Sequence, residues 1–242
     1  MTSTTYQKDL FAGKTALVAG ATQGIGAIIA NQLAAMGART IALGLGQGDG
    51  SLGAAVEVRE ADVTKQEDLD RVLADLPTLD IVFNCAGIIK RGEEHDVEVF
   101  QRVLEVNLTG TMRVCTAVRD KLKATKGCIV NTASMLTFFG GGLVPGYAAS
   151  KGGVGQLTKS LAIAYAADGI RVNAIAPGWI ATPLTKALQD DPARSGPILA
   201  RTPLGRWGTP QDVAQAAMFL CTPAASFMTG VVMPVDGGYM IS

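Results

Sequence analysis

Histidine is almost missing from this sequence. The single one, His95, stands between Glu94 and Asp96. A Ser-His-Asp mechanism would have to use it, and such acidic, polar surroundings favour a solvated loop or helix start instead. Cysteine is also scarce: Cys85, Cys115, Cys128 and Cys221 show no C-x-x-C spacing. They read as small buried hydrophobes in a reducing compartment, not as disulfide partners or zinc ligands, and no metal site is expected. Neither sign of charge prevails, since Lys plus Arg and Asp plus Glu each number 21. Nucleic acid and anionic membrane surfaces are therefore not expected as partners. No uninterrupted apolar stretch approaches the ~20 residues that span a bilayer. The opening stretch 1–14 has no apolar core of signal-peptide length, so a cytoplasmic location is expected.

What is abundant is apolar. Hydrophobic residues make up 48% of the 242 and charged ones only 17%. That length supports one large domain with a well-buried core, and that composition suits a parallel sheet covered on both faces. Short apolar runs at 14–19, 40–43, 56–59, 79–83, 128–133, 171–176 and 231–235 read as strands. Helical patterns lie between most of them. The alternation predicts an α/β fold, a doubly wound parallel sheet of seven strands flanked by helices, in a single domain over 1–242.

Helix boundaries follow from caps and glycines. The first helix is expected over 27–36, stopped by Gly37. The stretch 44–53 is too short and glycine-rich for a crossover helix, so a loop or single turn is expected. Thr64 and Glu67 form a capping-box pattern for a helix running to about 76. A long helix over about 97–123 carries Asn107 inside it. Asparagine competes there for backbone hydrogen bonds, so a kink or a functional role would account for it. A further helix ends at Asp168 and Gly169, with core spacing at Val154, Leu157, Leu161 and Ala164. Its Gly152, Gly153 and Gly155 make sense if another backbone packs close. The polar, proline-punctuated stretch 179–206 reads as a substrate loop or lid. A last helix covers 209–221, with Pro210 near its first position.

Two stretches carry chemistry. Gly20, Gly24 and Gly26 follow the first strand and open the first helix. A bare glycine turn lets a pyrophosphate approach the backbone, and the helix N-terminus offers free N–H groups and a positive dipole end. The second stretch runs from Ser134 to Lys151. Tyr147 and Lys151 stand at i and i+4, on one face of a helix. A free tyrosine titrates near 10, and a neighbouring cation favours its phenoxide. Such a Tyr passes protons to or from an alcohol or ketone oxygen, which Ser134 can also hold.

Taken together, these landmarks resemble the short-chain dehydrogenase/reductase family over nearly the whole chain. The pieces are the Gly20, Gly24, Gly26 turn, Asp62, the N-C-A-G stretch from Asn84, Asn107, Ser134, Tyr147, Lys151, and Pro177 and Gly178 with Thr182. The resemblance implies a Rossmann-type fold and a tetramer. It implies that Gly20, Thr22, Gln23, Gly24, Ile25 and Gly26 hold the cofactor pyrophosphate, and that Gly44, Asp62 and Val63 border the adenosine. Asn84, Ala86 and Gly87 would line the cofactor, as would Pro177, Gly178, Ile180 and Thr182 around the nicotinamide. Tyr147 would be the acid/base, Ser134 would position the substrate oxygen, and Lys151 would lower the Tyr pKa and bind ribose. Asn107 would hold a water relaying protons from Lys151. Ala19 and Cys85 depart from the usual pattern, as does the missing helix after strand two.

Cofactor and substrate are less tightly specified. No basic residue stands at Gln23 or over 44–46, and no ribose-binding acid follows strand two, although Asp49 lies close by. NAD is expected over NADP. Similarity to the sugar-acid branch, the ketodeoxygluconate and gluconate 5-dehydrogenases, rests on the stretches 86–91, 133–138 and 205–208. It implies a sugar acid, polyol or similar small carbonyl compound in carbohydrate metabolism. Lys90, Arg91 or Arg206 is the expected carboxylate anchor, with Met135 and Trp179 beside the substrate. A 3-oxoacyl-thioester reductase shares every motif, but overall neutrality offers its acyl carrier no docking surface. A non-catalytic dinucleotide sensor would not need Asn107, Ser134, Tyr147 and Lys151 together.

Overall fold

Seven strands form one sheet among the described residues, 5–46 and 48–242 of a computed structural model. Residues 1–4 of the opening stretch and Gln47 of the expected 44–53 loop lie outside them. The strands are β1 (Thr15–Ala19), β2 (Arg39–Gly44), β3 (Glu57–Glu60), β4 (Ile81–Asn84), β5 (Cys128–Thr132), β6 (Arg171–Pro177) and β7 (Val232–Val235). Their order is β3-β2-β1-β4-β5-β6-β7, and every pairing is parallel. This is the doubly wound sheet the alternation predicts. The chain runs outward from β1 to β3, then returns to β4 on the other side of β1. That reversal opens a crevice beyond the strand C-termini, where ligands of such sheets bind.

The inner strands are largely apolar because both faces are covered. Along β1, Ala16 and Val18 turn to one core and Leu17 and Ala19 to the other. The first core takes Ile29 and Leu33 of helix α1 (Gly24–Ala35) and Val213 and Met218 of α8 (Pro210–Cys221). The second takes Leu69 of α2 (Gln66–Leu73), Val114 and Val118 of α4 (Gly110–Thr125), and Leu161 and Tyr165 of α5 (Pro145–Tyr165). Edge strand β3 is charged instead: Arg59 pairs with Glu57 and Asp75. Charges of this kind deter pairing with a further strand.

Several local expectations need correction. Helix α1 starts at Gly24, inside the glycine turn, not at Ala27. Thr64 does not cap α2. Its N–H and hydroxyl donate to Asp62 Oδ1 at 2.9 and 2.7 Å, while Asp68 Oδ2 accepts from the Asp62 N–H at 2.9 Å. The carboxylates outbid the hydroxyl as acceptors, and the helix begins only at Gln66. The long helix is broken into α3 (Val97–Leu104), a single wide π-type turn (Glu105–Thr109) and α4, with Asn107 in the wide turn. Ala164 is exposed, and Thr158, Ala162 and Tyr165 carry the α5 core face instead. Gly153 and Gly155 admit the side chains of Leu108 and Thr137 rather than another backbone, and Gly152 faces open space. The stretch 179–206 is largely helical, with α6 (Lys186–Gln189) and α7 (Pro192–Arg201). Asp191 caps α7 through the Ala193 N–H, and Pro192 sits at its start.

Candidate active site

A cavity of about 410 Å³ runs along the C-terminal ends of the strands. The glycine turn forms one end. Gly20 has φ +75°, and the Ala86 backbone occupies the place where a side chain would stand. Only glycine accepts both the angle and the approach. Its N–H and that of Ala21 donate to Leu43 O at 2.8 and 3.0 Å, pinning the turn to β2. The N-cap of α1, Gln23, makes no side-chain bond, and the first turn carries no acid. The helix therefore presents its positive end and amides to the cavity. The Asp49 N–H donates to Thr22 O at 3.3 Å, and bonds from the Ser51 hydroxyl and N–H hold the Asp49 carboxyl below the usual range.

Thr22, Gln23, Gly24, Ile25, Gly26 and Gly44 all stand in this end of the wall, followed by Asp62 and Val63. Burial pushes Asp62 up, but bonds from Thr64 and the charges of Arg102 and Lys65 outweigh it, so its pKa is lowered. Arg102 also lines the wall, and no sequence signal marked it. Ala86, Gly87, Pro177, Gly178, Ile180 and Thr182 continue the wall on either side.

Asn84 does not line the cavity. The pleat of β4 turns it toward α4 and β5, where its Nδ2 donates to Asn131 Oδ1 at 2.9 Å and to Cys115 Sγ at 3.3 Å. Asn131 Nδ2 in turn donates to Thr158 Oγ1 at 3.0 Å. Asn84 belongs to this buried polar string, and Cys85 fills the wall position beside it.

At the other end the chemistry converges. Ser134, Tyr147 and Lys151 share the wall with Arg91, Met135 and Trp179. Ser134 Oγ accepts the Leu136 N–H at 3.2 Å and stands close enough to the Tyr147 phenol to favour its charged form. Lys151 is buried, with Nζ donating to Thr132 O at 2.6 Å and lying 5.6 Å from the centre of the Tyr147 ring. Burial pushes its pKa down to about 8, with a small opposing effect from Cys85. The expectation that Lys151 acidifies Tyr147 is not met here. Burial pushes the phenol up, Ser134 opposes it, Glu94 adds to it and Arg91 opposes it. The ammonium is committed to a backbone carbonyl beside the ring, so burial decides the direction.

Asn107 stands behind Gly87, outside the wall. Its Oδ1 accepts the Ile88 N–H at 2.8 Å, and its Nδ2 donates to Ile88 O at 2.9 Å and Ser150 Oγ at 3.0 Å. Both amide hydrogens are engaged, so a relay water would find only the remaining lone pair of Oδ1. The visible role of the side chain is to clamp the cavity loop at Ile88.

The three expected carboxylate anchors separate. Arg91 is in the wall and has no ion-pair partner among the described residues. Burial and then the charge of Arg194 on α7 lower its pKa, against Glu94 and Tyr147. Lys90 is exposed and outside the wall, although Ile89 and Arg91 on either side of it line it. Arg206 is also outside it. It pairs with Asp212 at 2.7 Å and donates to Trp207 O, tying down the start of α8. Trp179 stands edge-on to Trp207 and Tyr239, and its Nε1 is buried without a partner. Glu94, hidden in an acidic stretch that reads as solvated, is buried. His95 is exposed, against Gly142 O. Among the described residues no group of His, Cys, Asp and Glu could hold a metal ion, and no helix is long and apolar enough to cross a membrane.

Comparison with known proteins agrees with this geometry. A family model described as enoyl-(acyl carrier protein) reductase matches residues 20–240. The chain is 41% identical to the 2-dehydro-3-deoxy-D-gluconate 5-dehydrogenase of Pseudoalteromonas atlantica, over 97% of this chain and 98% of that one. It is 42% identical to the Bacillus subtilis protein of the same name, with the same coverage of 97% and 98%. A solved structure of a candidate 2-deoxy-D-gluconate 3-dehydrogenase from Agrobacterium tumefaciens, with NADP bound, is 38% identical with a TM-score of 0.88. The match covers 98% of this chain and 100% of that one.

Proposed function

The chain belongs to the short-chain dehydrogenase/reductase family and is an NAD(P)-dependent oxidoreductase acting on CH–OH groups; from that premise we propose that it interconverts the secondary alcohol and ketone of a sugar acid or related polyol. The observation that carries this is the meeting of Ser134, Tyr147, Lys151 and an unpaired Arg91 on one cavity.

The residues present fit a dinucleotide. The Gly20 approach to Ala86 and the uncapped start of α1 make a bare, positive cradle for a pyrophosphate. Asp62 and Val63 would border the adenosine, Lys151 the nicotinamide ribose, and Ile180 and Thr182 the nicotinamide. When bound, the nicotinamide supplies the two-electron acceptor or donor for the carbinol carbon. Tyr147 takes the proton from the substrate hydroxyl in oxidation and returns it to the ketone oxygen in reduction. Ser134 holds that oxygen and the phenol together. Its raised pKa keeps Tyr147 protonated at neutral pH, which suits it as the proton donor of reduction.

Arg91 supports an acidic substrate, because a half-buried guanidinium with the charge of another arginine near it gains from a carboxylate. Helices α6 and α7 would act as its lid within the one domain. Equal kcat/KM on a polyol and its matching acid would refute the carboxylate reading. NAD is the proposed preference. Its support is the absence of a cation at Gln23 and over 44–46 and the Asp49 backbone tethered to the turn at Thr22 O, which keeps its carboxylate close by. Arg102 is the opposing charge, so binding of NADP a hundredfold tighter than NAD would overturn the preference. Exposed Met112 on α4 and Ile163 on α5 support a tetramer through those helices. A cytoplasmic place in carbohydrate metabolism is in keeping with four free thiols and such a substrate.

The deciding variant is Tyr147→Phe. It is expected to lose at least about a hundredfold in kcat, in line with removal of an acid/base group, while titration by fluorescence still shows cofactor binding. Turnover within tenfold of the parent would sink the proposal.

A further inference from the structure

The start of α5 lacks a cap of its own. Its N-cap residue is Val144, which has no side chain able to accept a bond, and the first helical positions are Pro145, Gly146 and Tyr147. The amide of Tyr147 is one of the orphan donors of a helix N-terminus. It is satisfied from 53 residues away: Glu94 Oε2 accepts the Tyr147 N–H at 2.7 Å. The other oxygen, Oε1, accepts the Lys90 N–H, also at 2.7 Å. Glu94 is buried, close against Gly146, and no basic side chain pairs with it among the described residues. A carboxylate is expensive to bury, and both of its oxygens are spent on two amides that the fold could have capped locally.

What those amides belong to gives the carboxylate a purpose. Lys90 precedes Arg91, the cation of the substrate end. Tyr147 is the acid/base. We propose that Glu94 is a positioning residue for the reaction: its carboxylate clamps the backbone of Tyr147 to the backbone of the Arg91 turn, fixing the proton-transfer group and the substrate cation in one relation. This rests on the reading of Tyr147 as acid/base.

The same carboxylate contributes charge. Four groups face Tyr147 from the elements packed around it, three of them acting on its phenol. Ser134 approaches the phenol from the end of β5, Lys151 lies beside the ring on α5, and Arg91 and Glu94 approach from the segment after β4. Glu94 raises the phenol pKa and Arg91 lowers it. Neutralising Glu94 leaves Arg91 unopposed, so the phenoxide is favoured and the rising limb of alcohol oxidation moves to lower pH.

Glu94→Gln tests this, since it keeps shape but must aim its NH2 group at one of the two amides. The expected result is a kcat lowered about tenfold or more, a raised KM for substrate, and a pH limb displaced by several tenths of a pH unit to about one toward acid. If that variant is too unstable to assay, Val144→Thr/Glu94→Gln is measured against Val144→Thr, because a threonine hydroxyl at the N-cap supplies the missing acceptor. A lowered melting temperature with kcat, KM and the pH limb all unmoved would overturn the proposal and leave Glu94 as a helix cap. Tyr147→Phe is run alongside. Full turnover in that variant removes the reading beneath the proposal, whereas its loss together with an unmoved Glu94→Gln profile removes the proposal alone.

Discussion

Asn107→Ala is the most informative perturbation outside the wall. The side chain serves both the N–H and the C=O of Ile88, at 2.8 and 2.9 Å, and a hydroxyl that itself donates to Tyr147 O at 2.7 Å. Alanine leaves a backbone donor and acceptor without partners, each costing about 1–3 kcal/mol when buried. Ile88 is half-buried and water can reach part of the loss, so a total of about 2–4 kcal/mol is expected. For a chain of this length that corresponds to a melting temperature about 4–16 °C lower. The freed loop carries Gly87, Ile88 and Arg91 into the cavity wall. A displacement of ~1 Å there is expected to cost roughly a hundredfold in kcat. Thermal unfolding by fluorescence, with and without cofactor, and steady-state kinetics measure both. Asn107→Asp is expected to do no better, because it turns the Nδ2 donor into an acceptor facing Ile88 O. A melting temperature within about 2 °C of the parent, with kcat within about threefold, would show that the clamp reasoning is wrong.

Two further predictions concern charges. The Lys151 ammonium is expected to titrate near 8 in the cofactor-free protein, because burial disfavours its charged form; lysine nitrogen NMR, assigned with Lys151→Ala, reads this directly, and a midpoint at the surface-lysine value of about 10.4 would refute it. Arg206→Ala is expected to lower the melting temperature by about 1–4 °C, as befits a half-exposed pair, with KM unchanged; a tenfold rise in KM would return Arg206 to the substrate. Asp212 is held at about 2, mainly by Arg206, so its folded pKa is depressed. The contribution of the pair is present above the ordinary carboxylate value near 4 and is lost as pH falls toward 2. The gap between Arg206→Ala and the parent should close over that window.

The parts of the fold read most readily from the sequence are those with a backbone requirement. The glycine turn, the apolar strands and the Pro210 helix start all impose local geometry, and all stand where patterning places them. Asn107 was legible as a misfit, and the wide turn around it is what the misfit meant. Side-chain direction was less legible. Asn84 and Ala86 differ by two positions in one short stretch, yet one joins a buried polar string and the other lines the cavity. Charge was harder still. Glu94 and Arg206 look alike as loop charges, and only the pairing of Glu94 with the nearby amide of Lys90 and the distant amide of Tyr147 separates them. The direction of the Tyr147 pKa depended on how deeply the ring is buried, which no spacing of residues encodes.

The wide turn at Glu105–Thr109 has one more effect, on phase. Each residue in a regular helix advances the side-chain direction by about 100°. A turn that takes in one extra residue absorbs that residue's advance locally, so α3 and α4 keep a common bearing across it. Upstream, Val103 points into the protein; downstream, Val114, Val118 and Leu122 do so as well. Removing a single residue from 105–109 is expected to close the wide turn into an ordinary one and to leave that stripe against the sheet. The slack is spent on one side chain: the amide that grips Ile88 keeps its aim because the helix widens there.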